Sequence, residues 1–261
     1  MRIGITERGD AGIDFGWVQK LSTVDGAIII TKNVAFTKFQ DAILNPEVQK
    51  KIILHATVTG NGGTIYEPNT PPCEQSIEAI RNLIDNGFYP NRIVLRVDPI
   101  IPTNDSLKNT YVMLNAALDR IPEIKRIRVS ILDNYPHVKQ RWVDAGLQPL
   151  YNGNFYPSQA DTDRIVKMLD YTIGKSESDI AVEACAENRL SVAAKQLQAL
   201  PIQNVGCVSY KDLKILGLEM PDDIGINNQH RSGCLCLNCK TELLTSRSRC
   251  PNKCLYCYWK D

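Results

Sequence analysis

The sequence predicts an α/β protein with parallel strands, either a full or partial TIM-like (β/α) barrel of about six strands or an open doubly wound sheet. Short runs rich in Ile and Val alternate with helical stretches over the first 220 residues, which favours right-handed crossovers between parallel strands. Several runs are apolar nearly throughout, as expected for a sheet covered by helices. No Gly-x-Gly-x-x-Gly follows the first strand, which disfavours a dinucleotide-binding sheet.

Six strands are expected from β-branched runs bounded by polar or turn residues. In chain order they are RIGIT (2–6), GAIIIT (26–31), KIILHATV (51–58), RIVLRVD (92–98), RIRVSIL (126–132) and DIAVEA (179–184). Residues 73–87 and 106–121 carry apolar side chains at helical spacing, with Gly87 placed to end the first helix. Residues 151–163 are expected to form a long loop. A barrel domain is therefore expected over residues 1–228, with a cysteine-rich tail over 229–261 completing it.

Composition excludes several classes of protein. The 261 residues include 30 Lys and Arg against 29 Asp and Glu, so net charge alone indicates neither a nucleic-acid nor a membrane partner. The first residues are charged and lack the apolar segment of a signal peptide. No run approaches the roughly 18 apolar residues of a membrane span. A cytoplasmic protein is expected.

Polar side chains collect where the expected strands end, which is where the active sites of barrels lie. Charged groups that converge there from different strands predict a polar cavity. The residues concerned are Glu7, Arg8, Asp10, Lys32, Asn33, His55, Thr57, Glu67, Arg96, Asp98 and Glu183.

Nine cysteines are present, and six of them fall between Cys234 and Cys257. In a reducing compartment such a group indicates metal ligands or catalytic thiols more than disulfides. Cys236-x2-Cys239 and Cys254-x2-Cys257 together resemble a zinc ribbon with four thiolate ligands. An electron-transfer iron–sulfur centre, which uses four cysteines per cluster, also fits.

A third interpretation takes Cys250, Cys254 and Cys257 as one set, because a 4Fe-4S cubane held by three thiolates leaves one iron with an open position. Their segment, CPNKCLYCYW (250–259), has the C-x3-C-x2-C spacing with an aromatic residue, Tyr256, before the last cysteine. It resembles the signature of the radical S-adenosylmethionine (SAM) superfamily. That superfamily normally carries the motif near the N-terminus, after the first barrel strand.

Further stretches are similar to spore photoproduct lyase, a radical SAM enzyme, and to an uncharacterised family that resembles a permuted radical SAM protein. The matching motifs are ERGD (7–10), TKN (31–33), TVTG (57–60), EPN (67–69), RVDPI (96–100), CAE (185–187), CLC (234–236) and CPNKCLYCY (250–258). The resemblance implies a circularly permuted barrel. In it, TELLTS (241–246) is the strand that precedes the cluster loop and lies beside strand one.

The resemblance also implies roles for individual residues. Cys250, Cys254 and Cys257 hold a 4Fe-4S cluster whose fourth iron binds SAM, with Tyr256 against the adenine. Glu7 and Asp10 are candidates for the SAM ammonium group, although the usual Gly-Gly-Glu motif is absent. The candidates for the SAM carboxylate or ribose are Lys32, Thr57 and Arg96, and those for the substrate side are His55, Glu67 and Asp98.

A second, auxiliary site is expected at Cys185, Cys207, Cys234 and Cys236, with a 4Fe-4S cluster as the first choice and zinc as the second; Cys239 is an alternative ligand. The likeness to spore photoproduct lyase favours a nucleobase or DNA-derived substrate, and a peptide or small metabolite stays open. A basic bias of the tail, from Arg231, Lys240, Arg247, Arg249, Lys253 and Lys260, is consistent with phosphate binding. Radical SAM chemistry implies a reducing partner such as flavodoxin or ferredoxin. The alternative is a non-catalytic zinc or iron–sulfur protein.

Overall fold

The computed structural model describes residues 1–176, 179–226, 233–245 and 250–259. Its centre is a sheet of eight strands in which every neighbouring pair is parallel, in the order β7-β6-β5-β4-β3-β2-β1-β8. The strands are β1 (Ile3–Ile5), β2 (Gly26–Thr31), β3 (Ile52–Thr57), β4 (Ile93–Ile100), β5 (Arg126–Ile131), β6 (Ala181–Ala184), β7 (Ile202–Asn204) and β8 (Lys240–Glu242).

Nine α-helices occur in the described residues, most of them in the connections between strands. They are α1 (Gly16–Lys20), α2 (Thr37–Leu44), α3 (Pro46–Gln49), α4 (Cys73–Asp85), α5 (Asn104–Arg120), α6 (Pro136–Asp144), α7 (Gln159–Leu169), α8 (Asn188–Gln196) and α9 (Tyr210–Leu216). Gly87, just beyond α4, has the left-handed φ of +90° that favours glycine there. None of the helices described is long and apolar enough to cross a membrane.

The predicted fold class is confirmed, and all six expected strands are present within two residues of their expected ends. β8 pairs with β1 in parallel through Ile3–Lys240 and Ile5–Glu242, as expected for the segment 241–246, of which Ser246 lies outside the described residues. The boundary expected between residues 228 and 229 also lies outside them. Because β8 belongs to the same sheet as β1, the tail is part of one structural unit.

Two expectations about the fold are wrong. The count of about six strands is too low, since the sheet has eight: β8 corresponds to the expected segment 241–246, but β7 was not expected. Residues 151–163 are not one long loop, because α7 begins at Gln159 behind a capping box of Ser158 and Asp161. Among the described strands, β7 and β8 are edges that do not pair with each other, so the sheet is a partial barrel and not a closed one.

The two faces of the sheet differ in polarity. One face packs against most of the helices in a large apolar core that includes Trp17, Phe39 and Leu83. The other face begins as a smaller cluster of strand residues covered by Leu213 and Leu216 of α9. Further across, towards β4, β5 and β6, this inner face becomes charged and polar, which directs functional groups towards the interior of the curved sheet.

Candidate functional site

The loop that carries Cys250, Cys254 and Cys257 lies over the carboxyl edge of the sheet. Because β8 runs parallel to β1, the chain that follows Glu242 leaves the sheet at the edge where β1, β2 and β3 also end. Three hydrogen bonds then attach this loop to the segments that follow those strands. They run from Asn69 Nδ2 to Pro251 O (2.7 Å), from Leu255 N to Tyr66 O (3.1 Å) and from Tyr258 Oη to Glu7 O (2.9 Å).

Asp10 is buried beneath this loop and ties it to β2. Its carboxylate accepts hydrogen bonds from the Thr31 hydroxyl (2.5 Å), the backbone N–H groups of Lys32 (2.8 Å) and Gly12 (2.9 Å), and Asn252 Nδ2 (3.2 Å). Since both oxygens are engaged twice, Asp10 acts here as a positioning group, and its expected contact with the SAM ammonium stays a prediction.

Glu67 is the centre of a second buried network. Its carboxylate accepts hydrogen bonds from Thr59 (2.6 Å), Thr70 (3.0 Å), Lys32 Nζ (3.0 Å) and the Tyr256 hydroxyl. Burial alone would raise the pKa of Glu67, but the Lys32 charge and these donors outweigh it and lower the pKa below its usual value. The carboxylate therefore stays charged, and its hydrogen bond from Tyr256 attaches the cysteine loop to the fold.

Tyr256 and Cys254 pack into an apolar cluster with Tyr66 and Trp142, whose rings stack 5.4 Å apart. Lys32 Nζ lies 5.4 Å from the centre of the Tyr256 ring. Arg141 closes the far side of the loop by donating to the carbonyls of Cys257 and Trp259, both at 2.7 Å. The loop is thus fastened at both ends by groups from other elements.

The three thiols of the loop affect one another electrostatically. Burial raises the pKa of Cys254 to about 12, with contributions from Cys250 and Cys257, while the Lys32 charge opposes the rise. Within the described ranges, no group of three or more His, Cys, Asp or Glu side chains is arranged to hold a metal ion. The donor set nevertheless fits a cluster with one open iron, because one short loop supplies three neighbouring thiols beside a lysine that offsets negative charge.

The inner face of the sheet carries the remaining candidates. Arg96 pairs with Asp98 near the carboxyl edge, and both side chains are 22% exposed. His55 and Thr57 lie deeper, and Nε2 of His55 and Oγ1 of Thr57 have no hydrogen-bond partner among the described residues. Burial, with the positive charges of Arg128 and its neighbours, lowers the pKa of His55 well below its usual value, so this imidazole is neutral. The site therefore has a charged rim at Arg96 and Asp98, with the neutral imidazole of His55 and the Thr57 hydroxyl beneath it.

Thr57→Val is expected to raise the free energy of unfolding by about 1 kcal/mol. The Thr57 hydroxyl is buried without a partner in the part of the chain that the structure describes, and an isosteric apolar group removes that desolvation cost. The matched control is Thr110→Val, where an equally buried hydroxyl donates to Thr59 O at 2.8 Å and its loss costs about 1 kcal/mol. Urea denaturation of both variants measures this. If both variants lost the same free energy of unfolding, the Thr57 hydroxyl would be hydrogen-bonded in solution.

Glu7 faces a second group of thiols. Its side chain pairs with Lys240, and burial, followed by the charge of nearby Cys207, raises the pKa of Glu7 to about 7 against the opposing effect of Lys240. The sulfur atoms of Cys207 and Cys185 lie 3.1 Å apart. Cys236 is in hydrogen-bond contact with Cys185, Cys207 and Cys234. The four cysteines expected to form an auxiliary site are thus brought together.

The zinc-ribbon pairing is not brought together in the structure. Cys236 contacts Cys185 and Cys207, Cys239 packs on the apolar inner face, and Cys254 lies with Tyr66 and Trp142. None of the nine cysteines, all within the described ranges, forms a disulfide. Seven of the nine cysteines therefore lie in two places, the loop set and the second group, and the metals expected at them stay predictions.

Several residues that shape the site escape sequence reasoning. Asn252 links Asp10 to Asn33, whose Nδ2 donates to Asn252 Oδ1 at 3.1 Å, and its only signal is a polar residue inside the cysteine spacing. Arg141 has no motif around it. Of the basic tail residues, Arg231, Arg247, Arg249 and Lys260 lie outside the described residues.

These features define a parallel α/β protein with a thiol-bearing loop over the carboxyl edge of its sheet. The chain belongs to the family described as "Domain of unknown function (DUF1848)", which it matches over residues 17–259. No curated protein matches the sequence.

Among solved structures, a β-mannanase from Thermomonospora fusca aligns at 8% identity and a TM-score of 0.35, over 83% of this chain and 82% of its own. Its mannohexaose complex aligns at 10% identity with the same TM-score, over 82% of each chain. Likenesses this weak carry no argument about the fold or activity of this protein.

Proposed function

We propose that this protein is a radical SAM enzyme whose cluster is held by Cys250, Cys254 and Cys257. The observation that carries the proposal is the placement of the three-cysteine loop, which β8 delivers to the carboxyl edge of a parallel partial barrel. Active sites of parallel barrels lie at this edge, where loops from several strands meet.

The chain's own residues hold and shelter such a centre. A 4Fe-4S cluster with bound SAM supplies, on reduction, a 5′-deoxyadenosyl radical that removes hydrogen from a substrate. Lys32 offsets the negative charge of the thiolates, and the packed rings of Tyr66, Trp142 and Tyr256 exclude water from one side of the loop. The exposed part of the Arg96–Asp98 pair is positioned to orient a polar substrate or the carboxylate of SAM.

The substrate we favour is a nucleobase or a nucleic-acid-derived compound, and the electron donor a flavodoxin- or ferredoxin-type protein. The neutral imidazole of His55 and the unpaired hydroxyl of Thr57 offer hydrogen-bonding groups suited to a base edge rather than to an anion. This preference is supported by the distant similarity to spore photoproduct lyase.

The test is reductive SAM cleavage by protein purified and reduced without oxygen. We expect the wild type to release 5′-deoxyadenosine and Cys250→Ala to fall to background, because a cluster with two thiolates is not held. The matched control is Cys73→Ala on α4, which should keep both iron and activity. Cleavage that survives Cys250→Ala would refute the assignment of the loop, and so would zinc without sulfide at this loop. A panel of nucleosides and DNA then tests the substrate class by stimulation of 5′-deoxyadenosine release.

A further inference from the structure

The second group of thiols lies where the sheet stays open. Cys185 follows β6, Cys207 follows β7, and Cys234 and Cys236 precede β8. The two edge strands β7 and β8 have no ladder between them. Between their ends, the sulfurs of Cys185 and Cys207 are 3.1 Å apart and the backbone N–H of Cys207 donates to Cys236 Sγ at 3.2 Å. Thiols thus occupy the position where backbone hydrogen bonds would close a barrel.

The backbones on the two sides of this gap are built for close approach. A Cβ on Gly206 would lie 2.4 Å from Leu235 O and 2.6 Å from Cys236 Cα, so only glycine fits there. Next to it, Leu237 N donates to Val208 O at 3.1 Å. The segment after β7 and the segment before β8 therefore run in direct contact, although the strands themselves do not pair.

The surroundings suit sulfur atoms that carry negative charge. Lys240 Nζ is 4.0 Å from Cys236 Sγ, and Arg128 donates to Cys207 O at 3.3 Å. The backbone N–H of Cys207 donates directly to the Cys236 sulfur. Cys236 is 1% exposed and Cys234 is 4% exposed, so four uncompensated thiolates would be costly here and a cation among them would offset that cost.

We propose that Cys185, Cys207, Cys234 and Cys236 bind one zinc-type divalent ion that clasps the end of β7 to the start of β8. Zinc held by four thiolates has Zn–S bonds of about 2.3 Å, which places the sulfurs of the tetrahedron roughly 3.8 Å apart. The sulfurs of Cys185 and Cys207, at 3.1 Å, need to separate by less than ~1 Å to reach this geometry. Thiols this close need only a small shift to surround one ion, whereas the second 4Fe-4S cubane would need a much larger one.

The clasp has a mechanical consequence for the neighbouring loop. β8 begins four residues after Cys236, and its first residue, Lys240, pairs with Glu7 after β1. An ion at the four thiols therefore fixes the strand from which the loop with Cys250 departs. This inference does not depend on the proposed SAM chemistry, since it concerns the closure of the sheet.

The experiment starts from a triple variant in which Cys250, Cys254 and Cys257 are replaced by Ala, so that the loop binds no metal. We expect this protein, purified without added metal, to retain about one zinc per chain, with four sulfur neighbours at about 2.3 Å by zinc-edge X-ray absorption. In the protein with its loop cysteines intact, Cys207→Ser should lose this zinc and lower the melting temperature by roughly 5 °C or more. Cys239→Ser, at a thiol outside the group, is the matched control and should keep both.

Other outcomes overturn the proposal in distinct ways. About four iron and four sulfide retained by the triple variant would identify a second cluster. Absence of metal together with a Cys185–Cys207 disulfide would make the group a redox pair. Zinc that disappears from the triple variant would place the ion at the loop. Because the triple variant cannot cleave SAM, its zinc content is independent of whether the proposed activity is correct.

Discussion

Arg126→Met is expected to lower the free energy of unfolding by about 3–5 kcal/mol. Arg126 is 4% exposed on the inner face, where it donates to both oxygens of Glu183 at 2.9 and 3.1 Å and to Asp212 at 2.8 Å. Methionine fills the space, and Glu183 keeps Arg128 (2.7 Å) as a partner. Buried Asp212, however, loses its 2.8 Å contact with Arg126 and is left 4.0 Å from Arg128 Nη2. Asp212 belongs to α9, so the change also releases that helix from β5 and β6.

The matched control is Arg81→Met on α4. Arg81 also contacts two carboxylates, Asp85 and Glu123, but on the solvent-facing side of its helix. Exposed pairs of this kind contribute under about 1 kcal/mol. Urea denaturation of both variants gives the comparison. If the two losses were the same, the buried network would not be what holds α9 in place.

The strands were predictable because burial on both faces leaves a local pattern. β2 and β3 are buried at every position, and continuous β-branched runs of that kind stand out in a sequence. β7 leaves no such pattern, because Ile202 is its one apolar residue and Gln203 and Asn204 follow. Its three residues are held by pairing with β6, which is a tertiary contact that periodicity does not report.

The location of the site could be predicted from the sequence, but the hydrogen-bond partners within it could not. The rule that parallel strands end at one edge places Asp10, Lys32 and Glu67 together, and the structure does so. It does not say that Tyr256, 189 residues away along the chain, donates to Glu67. Nor does it say that Asn252 occupies the last free position on Asp10. Such contacts depend on how β8 returns to β1, which local sequence does not encode.

The two cysteine groups are connected through the same returning segment. Cys236 precedes β8 and Cys250 follows it, and Glu7, after β1, pairs with Lys240 while its backbone carbonyl accepts from Tyr258. A structural change at one cysteine group is therefore expected to affect the other group through β8, a single short strand. Some hydrogen bonds attach the cysteine loop to the fold independently of β8, above all those of Glu67. They should determine how well ordered the loop stays after a change at the second group.

Glu67→Ala is expected to cost about 3–5 kcal/mol of unfolding free energy and to loosen the cysteine loop selectively. The change leaves Lys32, Thr59, Thr70 and the Tyr256 hydroxyl without their shared acceptor. Hydrogen exchange should rise at residues 250–257, where Leu255 N donates to Tyr66 O, and stay unchanged in β5. A uniform increase in exchange across the sheet would instead mean that Glu67 stabilises the whole fold and does not stabilise the loop selectively.

Glu67→Gln separates charge from shape, because the amide keeps the volume and one acceptor but cannot match the Lys32 charge. The pKa of Glu67 is lowered in the folded protein, chiefly because the Lys32 charge and the hydrogen bonds outweigh burial. A carboxylate of this kind stabilises the fold above its unfolded pKa of about 4.3, and the contribution is lost as the pH falls through the folded value. The stability difference between wild type and Glu67→Gln should therefore be full at neutral pH and shrink below about pH 4. A difference that stays constant into acid would mean that the amide fails through geometry, and the loop would then be held by shape complementarity around Tyr256 and not by the charge on Glu67.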